Sequence, residues 1–355
     1  MMKNKHMQAV LLTTVMASAQ TIAEDFNQAI DVTARASNWK PSLRYPDPAI
    51  EVIDPSFMKY RLFNASVEQL ATGFRWGEGP AWNEEEGYLV FSDLPNSRMI
   101  RWDEQAGKAS VYNAESNNSN GNIYDLQGRL ITAEHLGRRV IRTEKDGSTT
   151  VLADSYQGRK LNSPNDLAIE SDGSVWFTDP PFGLGSYYEG VITEPELDFH
   201  GVYRVDAETG ELELILDGLV GPNGLAFSPD GKYLYVVEAR ATPNRLLWRY
   251  DVGANGNLSN KTLHFEAFNS GAIDGFKVDV DGNIWAGWGS DGTPGVDPAP
   301  MDGVIVINPN GEIIGHIHTP ERCANVVFGG EHRNRLLMTC SHSIYSLFVN
   351  TQGAY

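Results

Sequence analysis

The sequence predicts an all-β protein, a six-bladed β-propeller that follows an N-terminal extended arm. Three observations support this fold class. A strand–turn–strand unit recurs six times, its turn residues recur at a nearly regular interval, and no segment has a sustained apolar period of 3.6 residues. The first two features are typical of propeller blades, and the third argues against an α/β fold.

Each repeated unit is a short apolar strand, a tight turn and a second apolar strand. Several turns contain Asp-Gly or Gln-Gly, which commonly connect the strands of hairpins. The turn residues are Gly87, Gly128, Gly173, Gly231, Gly282 and Asn334. Their separations of 41, 45, 58, 51 and 52 residues lie near the roughly 40–50 residues of a four-stranded blade. Further strand pairs between the units predict the two outer strands of each blade.

The region before the repeats divides into a leader and an arm. Lys3 and Lys5 precede a short apolar run that ends at Ala17-Ser18-Ala19, an A-x-A cleavage site. Residues 1–19 are therefore predicted to be a signal peptide, which places the protein in the periplasm or outside the cell. A buried N-terminal helix is the alternative for this segment.

Two domain boundaries follow from the repeats. Residues 20–65 contain four prolines between positions 41 and 55 and predict the extended arm. Residues 66–355 hold the repeats and predict the propeller. Residues 180–200 account for the long third separation and predict a surface loop, and long insertions of this kind are often functional.

The composition limits the partners and the compartment. A formal net charge of −18 leaves no basic excess to neutralise phosphates, so no nucleic-acid partner is expected. No segment approaches 18 consecutive apolar residues, so no membrane partner is expected. Cys323 and Cys340 are the only cysteines, and both a single disulfide and two buried thiols are open. The oligomeric state has no signature in the sequence.

Six polar residues hold equivalent places at the start of the first strand of each unit. They stand eight or nine residues before the turn residues and are Glu78, Asn120, Asn165, Asn223, Asp274 and Asn325. If that strand is the innermost of its blade, the six side chains ring one mouth of the central channel. Turn capping is the structural alternative for each residue taken alone. A separate turn later in every unit favours the channel site for the whole set.

Carboxylates and amide oxygens on one axis form a hard, oxygen-rich site. Such donors suit Ca²⁺ better than Zn²⁺, which prefers His and Cys ligands. The sequence therefore predicts a Ca²⁺ site at the channel mouth, with another divalent cation as the alternative.

Four motifs at blade spacing carry a family resemblance. They are Gly77-Glu-Gly-Pro-Ala-Trp82, Leu161-Asn-Ser-Pro-Asn-Asp166, Gly221-Pro-Asn-Gly-Leu-Ala-Phe-Ser-Pro-Asp230 and Ile273-Asp-Gly275. Over residues 46–349 the chain resembles the gluconolactonase/regucalcin family, and it is most similar to the exported bacterial gluconolactonases. The resemblance implies a cation held by Glu78, Asn165, Asn223 and Asp274.

The same resemblance implies a lactone hydrolase. The substrate would be a small sugar lactone of the glucono-1,5-lactone type, hydrolysed to the aldonic acid. A cation would polarise the carbonyl, and Asp274 would act as general base towards water; a role as ligand alone is the alternative for Asp274. Asn120 and His135 are candidate substrate-binding residues, although a lone His on a strand is more often structural.

Two other functions stay open. Related propellers use the same four-residue set for phosphotriester hydrolysis, so the ligands alone do not separate a lactonase from an organophosphate hydrolase. A non-catalytic sugar- or peptide-binding propeller with a structural metal is the third interpretation, because function is defined by the site and not by the fold.

Overall fold

Residues 39–354 are described by the computed structural model, and their regular structure is almost entirely β-strand. The predicted signal peptide and residues 20–38 of the predicted arm lie outside the described residues. Within residues 39–354 the helical segments are short 3₁₀ turns at Pro55–Lys59, Leu94–Asn96, Phe182–Leu184 and Ala254–Gly256. No helix in this part of the chain is long and apolar enough to cross a membrane.

The strands of residues 39–354 form seven antiparallel sheets, of which six are the blades and the seventh is a two-stranded hairpin. Two strands precede the first blade: β1 (Ile50–Val52) and β2 (Glu68–Thr72). The first blade contains β3 (Gly77–Asn83), β4 (Tyr88–Asp93), β5 (Arg98–Asp103) and β6 (Lys108–Asn113). The second contains β7 (Ser119–Tyr124), β8 (Leu130–Glu134), β9 (Arg139–Thr143) and β10 (Thr149–Ala153). A small hairpin of β11 (Ser155–Tyr156) and β12 (Arg159–Lys160) follows it.

The third to sixth blades repeat this order along the chain. The third contains β13 (Leu167–Ile169), β14 (Val175–Asp179), β15 (Gly201–Val205) and β16 (Leu212–Leu216). The fourth contains β17 (Pro222–Phe227), β18 (Tyr233–Glu238), β19 (Leu246–Val252) and β20 (Leu258–Glu266). The fifth contains β21 (Gly271–Val278), β22 (Ile284–Ser290), β23 (Gly303–Ile307) and β24 (Ile313–His318). The sixth begins with β25 (Cys323–Gly329), β26 (Arg335–Cys340) and β27 (Ser343–Phe348).

The ring is closed by a strand from the N-terminal side. β2 pairs with β27 and supplies the outer strand of the sixth blade, so the two ends of the propeller are joined by one sheet. The predicted six-bladed, all-β propeller is confirmed. β1 adds a fifth, outermost strand to the fifth blade by pairing with β24, and the residues that follow β1 place Phe57 and Tyr60 against the ring of Trp285.

Buried aromatic residues pack between neighbouring blades. Trp176 of the third blade meets Phe227 of the fourth with ring centroids 5.5 Å apart, and Trp285 of the fifth meets Phe328 of the sixth at 5.7 Å. Both tryptophans are fully buried. Apolar burial of this kind is the dominant favourable term in folding. The facing surfaces of neighbouring blades are therefore held together by apolar packing.

The hairpin turns and the cysteines refine two expectations. The five predicted turn glycines all have a positive φ, as tight turns of this type require. In the sixth unit Gly330 and Arg333 have a positive φ, of 80° and 51°, and Asn334 does not. Cys323 and Cys340 are joined by a disulfide across the two innermost strands of the sixth blade, so the disulfide alternative holds.

Candidate functional site at the channel mouth

The innermost strands of the blades line the central channel. They are β3, β7, β13, β17, β21 and β25, and they contact one another in this order and back to β3. The six predicted polar residues lie at or just before the beginnings of these strands. Asn223 is half-buried and the other five are buried. The structure therefore brings all six residues to one ring at the mouth of the channel, the channel ring.

A change of register aims these side chains. In β3, β7, β17, β21 and β25 the pairing with the next strand shifts at or beside the site residue. β13 begins two residues after Asn165. A bulge bends a strand and redirects a side chain out of the regular alternation, which turns the residue towards the channel instead of the sheet face.

A glycine follows four of the six site residues, and close packing explains it. A Cβ on Gly79, which has a φ of 50°, would lie 2.0 Å from the carbonyl oxygen of Asn120 on the next blade. A Cβ on Gly224 would lie 2.5 Å from the carbonyl oxygen of Asp274. Real Cβ atoms do not approach backbone oxygens this closely, so glycine lets adjacent inner strands meet. The Asn-Gly and Asp-Gly pairs at the site residues (Asn120-Gly121, Asn223-Gly224 and Asp274-Gly275) thus belong to the channel wall, unlike the Asp-Gly pairs of the hairpin turns.

Asp274 has partners on both carboxylate oxygens. The Asn223 amide donates to Oδ1 from Nδ2 at 2.6 Å, and Arg322 donates to Oδ2 from Nη2 at 3.0 Å. The second guanidinium nitrogen of Arg322 donates to the carbonyl oxygen of Ser290. The Asp274 side chain is 11% exposed, so this carboxylate is held firmly but reaches the open end of the channel.

Glu78 and Asp166 add two buried carboxylates. Glu78 accepts from Trp76 Nε1 at 3.3 Å and from the Gly79 N–H at 3.0 Å. Burial raises the pKa of Glu78 well above its usual range, and the charges of Asp274 and Asp166 raise it further. Burial also raises the pKa of Asp166, although Lys277 opposes the shift. Burial and the neighbouring carboxylates therefore disfavour the charged form of Glu78, and a bound cation would offset that cost.

His135 stands behind Asn120 and Asn165 and is completely buried. Its Nδ1 lies 3.1 Å from the carbonyl oxygen of Glu189, so Nδ1 carries the proton and donates. Nε2 then accepts from the amide groups of Asn120, at 3.3 Å, and Asn165, at 3.4 Å. This pattern leaves the amide oxygens of both Asn residues available to the channel. Burial lowers the pKa of His135 to about 4, so the ring is neutral at physiological pH.

The predicted functional loop covers this histidine. A Cβ on Gly183 would lie 2.6 Å from the Cβ of His135, so the loop backbone rests directly on the ring. The carboxylate of Glu189, in the same loop, is half-buried, and its pKa is raised by burial and by the charge of Asp274. Arg240 opposes that shift. The loop thus adds one acidic group to the mouth of the channel.

Four participants lie outside the predicted set. Asp166 is the neighbour of Asn165 and accepts from Asn325 Nδ2 at 3.3 Å, so the Asn-Asp pair was the available signal. The other three have no equivalent in the other repeats and leave no periodic signal in the sequence; they are Arg322, Glu189 and Lys277. Arg322 also lines an adjacent cavity of about 440 Å³ between the fifth and sixth blades.

The residues fit a hard divalent cation. Glu78 and Asp274 supply two carboxylates that interact unfavourably with each other. The amide nitrogen of Asn165 is directed to His135 and that of Asn223 to Asp274, so each amide can present its oxygen. Oxygen donors with two negative charges are what Ca²⁺ takes in proteins. The predicted positions of Asn120 and His135 as substrate contacts stay predictions, since the structure places His135 behind the ring.

The chain is similar to known proteins over two thirds or more of its length. A gluconolactonase from Zymomonas mobilis is 30% identical over 364 residues, which cover 96% of this chain and 92% of that protein. A solved gluconolactonase structure from Xanthomonas campestris is 34% identical with a TM-score of 0.76, and it covers 89% of this chain and 99% of that one. A diisopropyl-fluorophosphatase from Loligo vulgaris is 26% identical over 259 residues, 68% of this chain and 78% of that protein.

The family match includes every residue of the channel ring. The SMP-30/Gluconolactonase/LRE-like region matches residues 76–342. This range begins two residues before Glu78 and contains His135, Asp274 and Arg322. The chain therefore belongs to the SMP-30/gluconolactonase/LRE-like family, as its four sequence motifs predict.

Proposed function

We propose that this protein hydrolyses a sugar lactone of the glucono-1,5-lactone type at the mouth of the channel. The observation that carries the proposal is the convergence of Glu78 and Asp274 with two amides whose oxygens are left free to face the axis. The gluconolactonase from Zymomonas mobilis, which aligns over nearly the whole chain, supports the same activity. The chain is a lactone hydrolase of the gluconolactonase kind.

Glu78, Asn165, Asn223 and Asp274 would hold the cation, and Ca²⁺ suits their oxygen donors. When bound, such a cation supplies a positive charge that polarises the lactone carbonyl and stabilises the negative charge that develops on its oxygen. The buried position of Glu78 strengthens any such interaction, because the local dielectric is low.

The protein's own residues handle the proton and the orientation. Asp274 takes a proton from the attacking water, whose oxygen bonds to the acyl carbon while the bond from that carbon to the ring oxygen breaks. The proton then passes to the ring oxygen, and the product is the open-chain aldonic acid. Asn223 and Arg322 hold the Asp274 carboxylate in one orientation. His135 orients Asn120 and Asn165 by accepting from both amide groups.

A second candidate function is phosphotriester hydrolysis at the same residues. The similarity to the diisopropyl-fluorophosphatase is lower in identity and covers less of the chain than the similarity to the gluconolactonase. The lactonase assignment is therefore preferred. A third candidate, a propeller that only binds its ligand, predicts no turnover of either substrate.

One experiment separates these functions. Hydrolysis of glucono-1,5-lactone and of diisopropyl fluorophosphate is measured on protein treated with EDTA and then resupplied with Ca²⁺. We expect Ca²⁺-dependent turnover of the lactone, its loss in Glu78→Gln, and normal turnover in the matched surface variant Glu115→Gln. Faster turnover of the phosphorus ester would favour the second candidate, and no turnover of either would favour the third.

We also propose that the protein is exported, because residues 1–19 have the pattern of a cleaved signal peptide. The disulfide between Cys323 and Cys340 suits an oxidising compartment such as the periplasm. Mass spectrometry of protein from the periplasm or medium should find an N-terminus near Gln20. An intact Met1 in the cytoplasmic fraction would contradict export.

A further inference from the structure

A cluster of two histidines and one glutamate lies on the outer part of the fifth blade, away from the channel ring. β1 pairs with β24 in an antiparallel register that sets Glu51 opposite His316. His318 lies two residues further along β24, and side chains two residues apart share one face of a strand. Glu51, His316 and His318 therefore project from the same face of this two-strand edge.

The distances bring three ligand atoms together. His318 Nε2 lies 2.8 Å from Glu51 Oε2, and the two imidazole rings have centroids 3.8 Å apart. One ligand atom from each of the three residues lies within 4.8 Å of the others. Two atoms bound to one metal ion at about 2.0–2.2 Å lie at most about 4.4 Å apart. A small rotation of the Glu51 and His318 side chains, which both reach solvent, would bring all three atoms within bonding distance of one ion.

Among the described residues, one ring nitrogen of His316 lacks a hydrogen-bond partner. Its side chain is only 6% exposed, and its Nε2 is buried without a hydrogen-bond partner in the described structure. A buried polar atom without a partner is unfavourable. A cation bound to that nitrogen would remove the deficit, whereas a role confined to packing would not.

Backbone contacts also hold the His316 ring in place. The ring donates to backbone carbonyl oxygens at Met301 and Asp302, and such outer contacts commonly orient a ligating histidine.

We propose that Glu51, His316 and His318 bind a borderline-soft divalent cation of the Zn²⁺ type. Two imidazoles and one carboxylate are a frequent ligand set for such ions, whereas Ca²⁺ takes oxygen ligands. Glu51 is exposed and His318 half-exposed, so the ion has a path from solvent and water can complete its coordination. The site is distinct in place and in chemistry from the channel ring, and it does not depend on the proposed lactonase activity.

The position of the site gives the ion a structural role. Glu51 belongs to the arm and the two histidines to the fifth blade, so the ion links β1 to β24. β1 has only three residues, and a metal bond across its short ladder would hold the arm against the propeller. Binding to the folded state alone raises stability by linkage.

The test is a calorimetric titration of untagged, metal-free protein with Zn²⁺ in the presence of excess Ca²⁺, which occupies the oxygen-rich channel site. We expect one Zn²⁺ to bind per chain, accompanied by a rise in Tm and by slower amide exchange in residues 49–54. Loss of an outer contact to a ligand weakens metal binding by about 10–100-fold, so loss of a ligand should weaken it by at least about tenfold. His318→Ala and Glu51→Gln should both show this loss.

Matched variants make the outcome decisive. His332→Ala removes an exposed histidine elsewhere on the surface and should leave Zn²⁺ affinity unchanged. Glu51→Gln changes an exposed side chain, so it tests the site without disturbing the core that surrounds His316. Unchanged affinity in both Glu51→Gln and His318→Ala, or no Zn²⁺ binding by the unaltered protein, would overturn the proposal.

Discussion

Arg322 forms an ion pair with Asp274, with 3.0 Å between Nη2 and Oδ2. Its guanidinium also lies 5.7 Å from the centre of the Trp76 ring, and Trp76 donates to Glu78. One arginine thus pairs with Asp274 and lies over the tryptophan that donates to Glu78. A bound cation and this guanidinium would interact with the same Asp274 carboxylate. The charge of Arg322 should therefore lower the affinity of the site for a cation.

The first prediction is that Arg322→Gln binds Ca²⁺ more tightly. Removing a positive charge a few ångströms from the site removes repulsion worth about 1–2 kcal/mol at a partly exposed position, or roughly tenfold in affinity. Calorimetric titration at low and high salt measures the change, which should shrink with salt. Arg101→Gln, on an outer strand of the first blade, is the control. Weaker binding in Arg322→Gln would instead mean that the arginine is needed to hold Asp274 in place.

The second prediction separates the two roles of Asp274. Asp274→Asn keeps an oxygen that can reach a metal but cannot accept a proton at neutral pH. If Asp274 is the base, kcat should fall by roughly 10²–10⁴-fold even at saturating Ca²⁺. The measurement is kcat for lactone hydrolysis over a Ca²⁺ series, corrected for spontaneous hydrolysis. Recovery of kcat at high Ca²⁺ would leave Asp274 with a ligand role alone.

The repeat made the fold and the ring of six residues predictable. Glu78 and Asp274 occupy equivalent places in different blades, so a count back from each turn finds both. The same count explains nothing about Arg322, which lies just before β25 and has no counterpart in the other blades. A side chain that enters the site from a position outside the repeat leaves no periodic signal.

The environment of His135 was equally hidden. The sequence indicates a histidine near the channel, but its burial depends on the loop that returns over it through Gly183. The location of β1 was not predictable either, since three residues carry too little pattern to select a partner strand. Contacts between segments far apart in the chain are set by packing, and one sequence does not display them.

The third prediction concerns the disulfide between Cys323 and Cys340, which joins the inner strands of the closing blade. Replacing both cysteines by Ala should lower the free energy of unfolding by about 3 kcal/mol, because the unfolded chain regains entropy. Scanning calorimetry should record a fall in Tm of roughly 5 °C. Reductant should lower the Tm of the unaltered protein by a similar amount and leave the double variant unchanged. An unaltered Tm in the double variant would contradict this role.

The fourth prediction uses Asp179, which ends β14 and is fully buried. Burial raises the pKa of Asp179 to about 7. An acid with a raised pKa contributes stability below its unfolded pKa of about 4, and this contribution is lost as the pH rises through about 7. The free energy of unfolding of Asp179→Asn, taken relative to that of the unaltered protein, should therefore be higher at pH 8 than at pH 5. Urea unfolding at the two pH values measures the difference.

The matched position for this test is Asp93, which ends β4. Its carboxylate accepts from Arg98 Nε at 2.8 Å, so Asp93→Asn leaves a charged partner behind and should lower stability at both pH values. A loss of equal size at pH 5 and pH 8 in Asp179→Asn would show that its carboxyl does not titrate in this window.

The last prediction is that His135 positions the site and does not titrate during turnover. His135→Phe keeps a flat ring but removes the nitrogen that accepts from Asn120 and Asn165. We expect Ca²⁺ affinity and kcat/KM to fall by about 10–100-fold, as is usual when a contact that orients ligands is lost. His264→Phe is the control, because burial also lowers the pKa of that histidine to about 4 and it lies on an outer strand of the fourth blade.

The pH dependence distinguishes positioning from acid–base chemistry at His135. Burial lowers its pKa from an ordinary 6.5 to about 4. His135 should therefore contribute no step near pH 6.5 to the pH profile of kcat/KM, and His135→Phe should leave that part of the profile unchanged in shape. A base with a lowered pKa is a source of stability above pH 6.5, and about 3 kcal/mol of that is lost as the pH falls towards 4. Unfolding between pH 4.5 and 7 should therefore depend less on pH in His135→Phe. A step in kcat/KM near pH 6.5 that vanishes with His135 would assign the proton transfer to this residue after all.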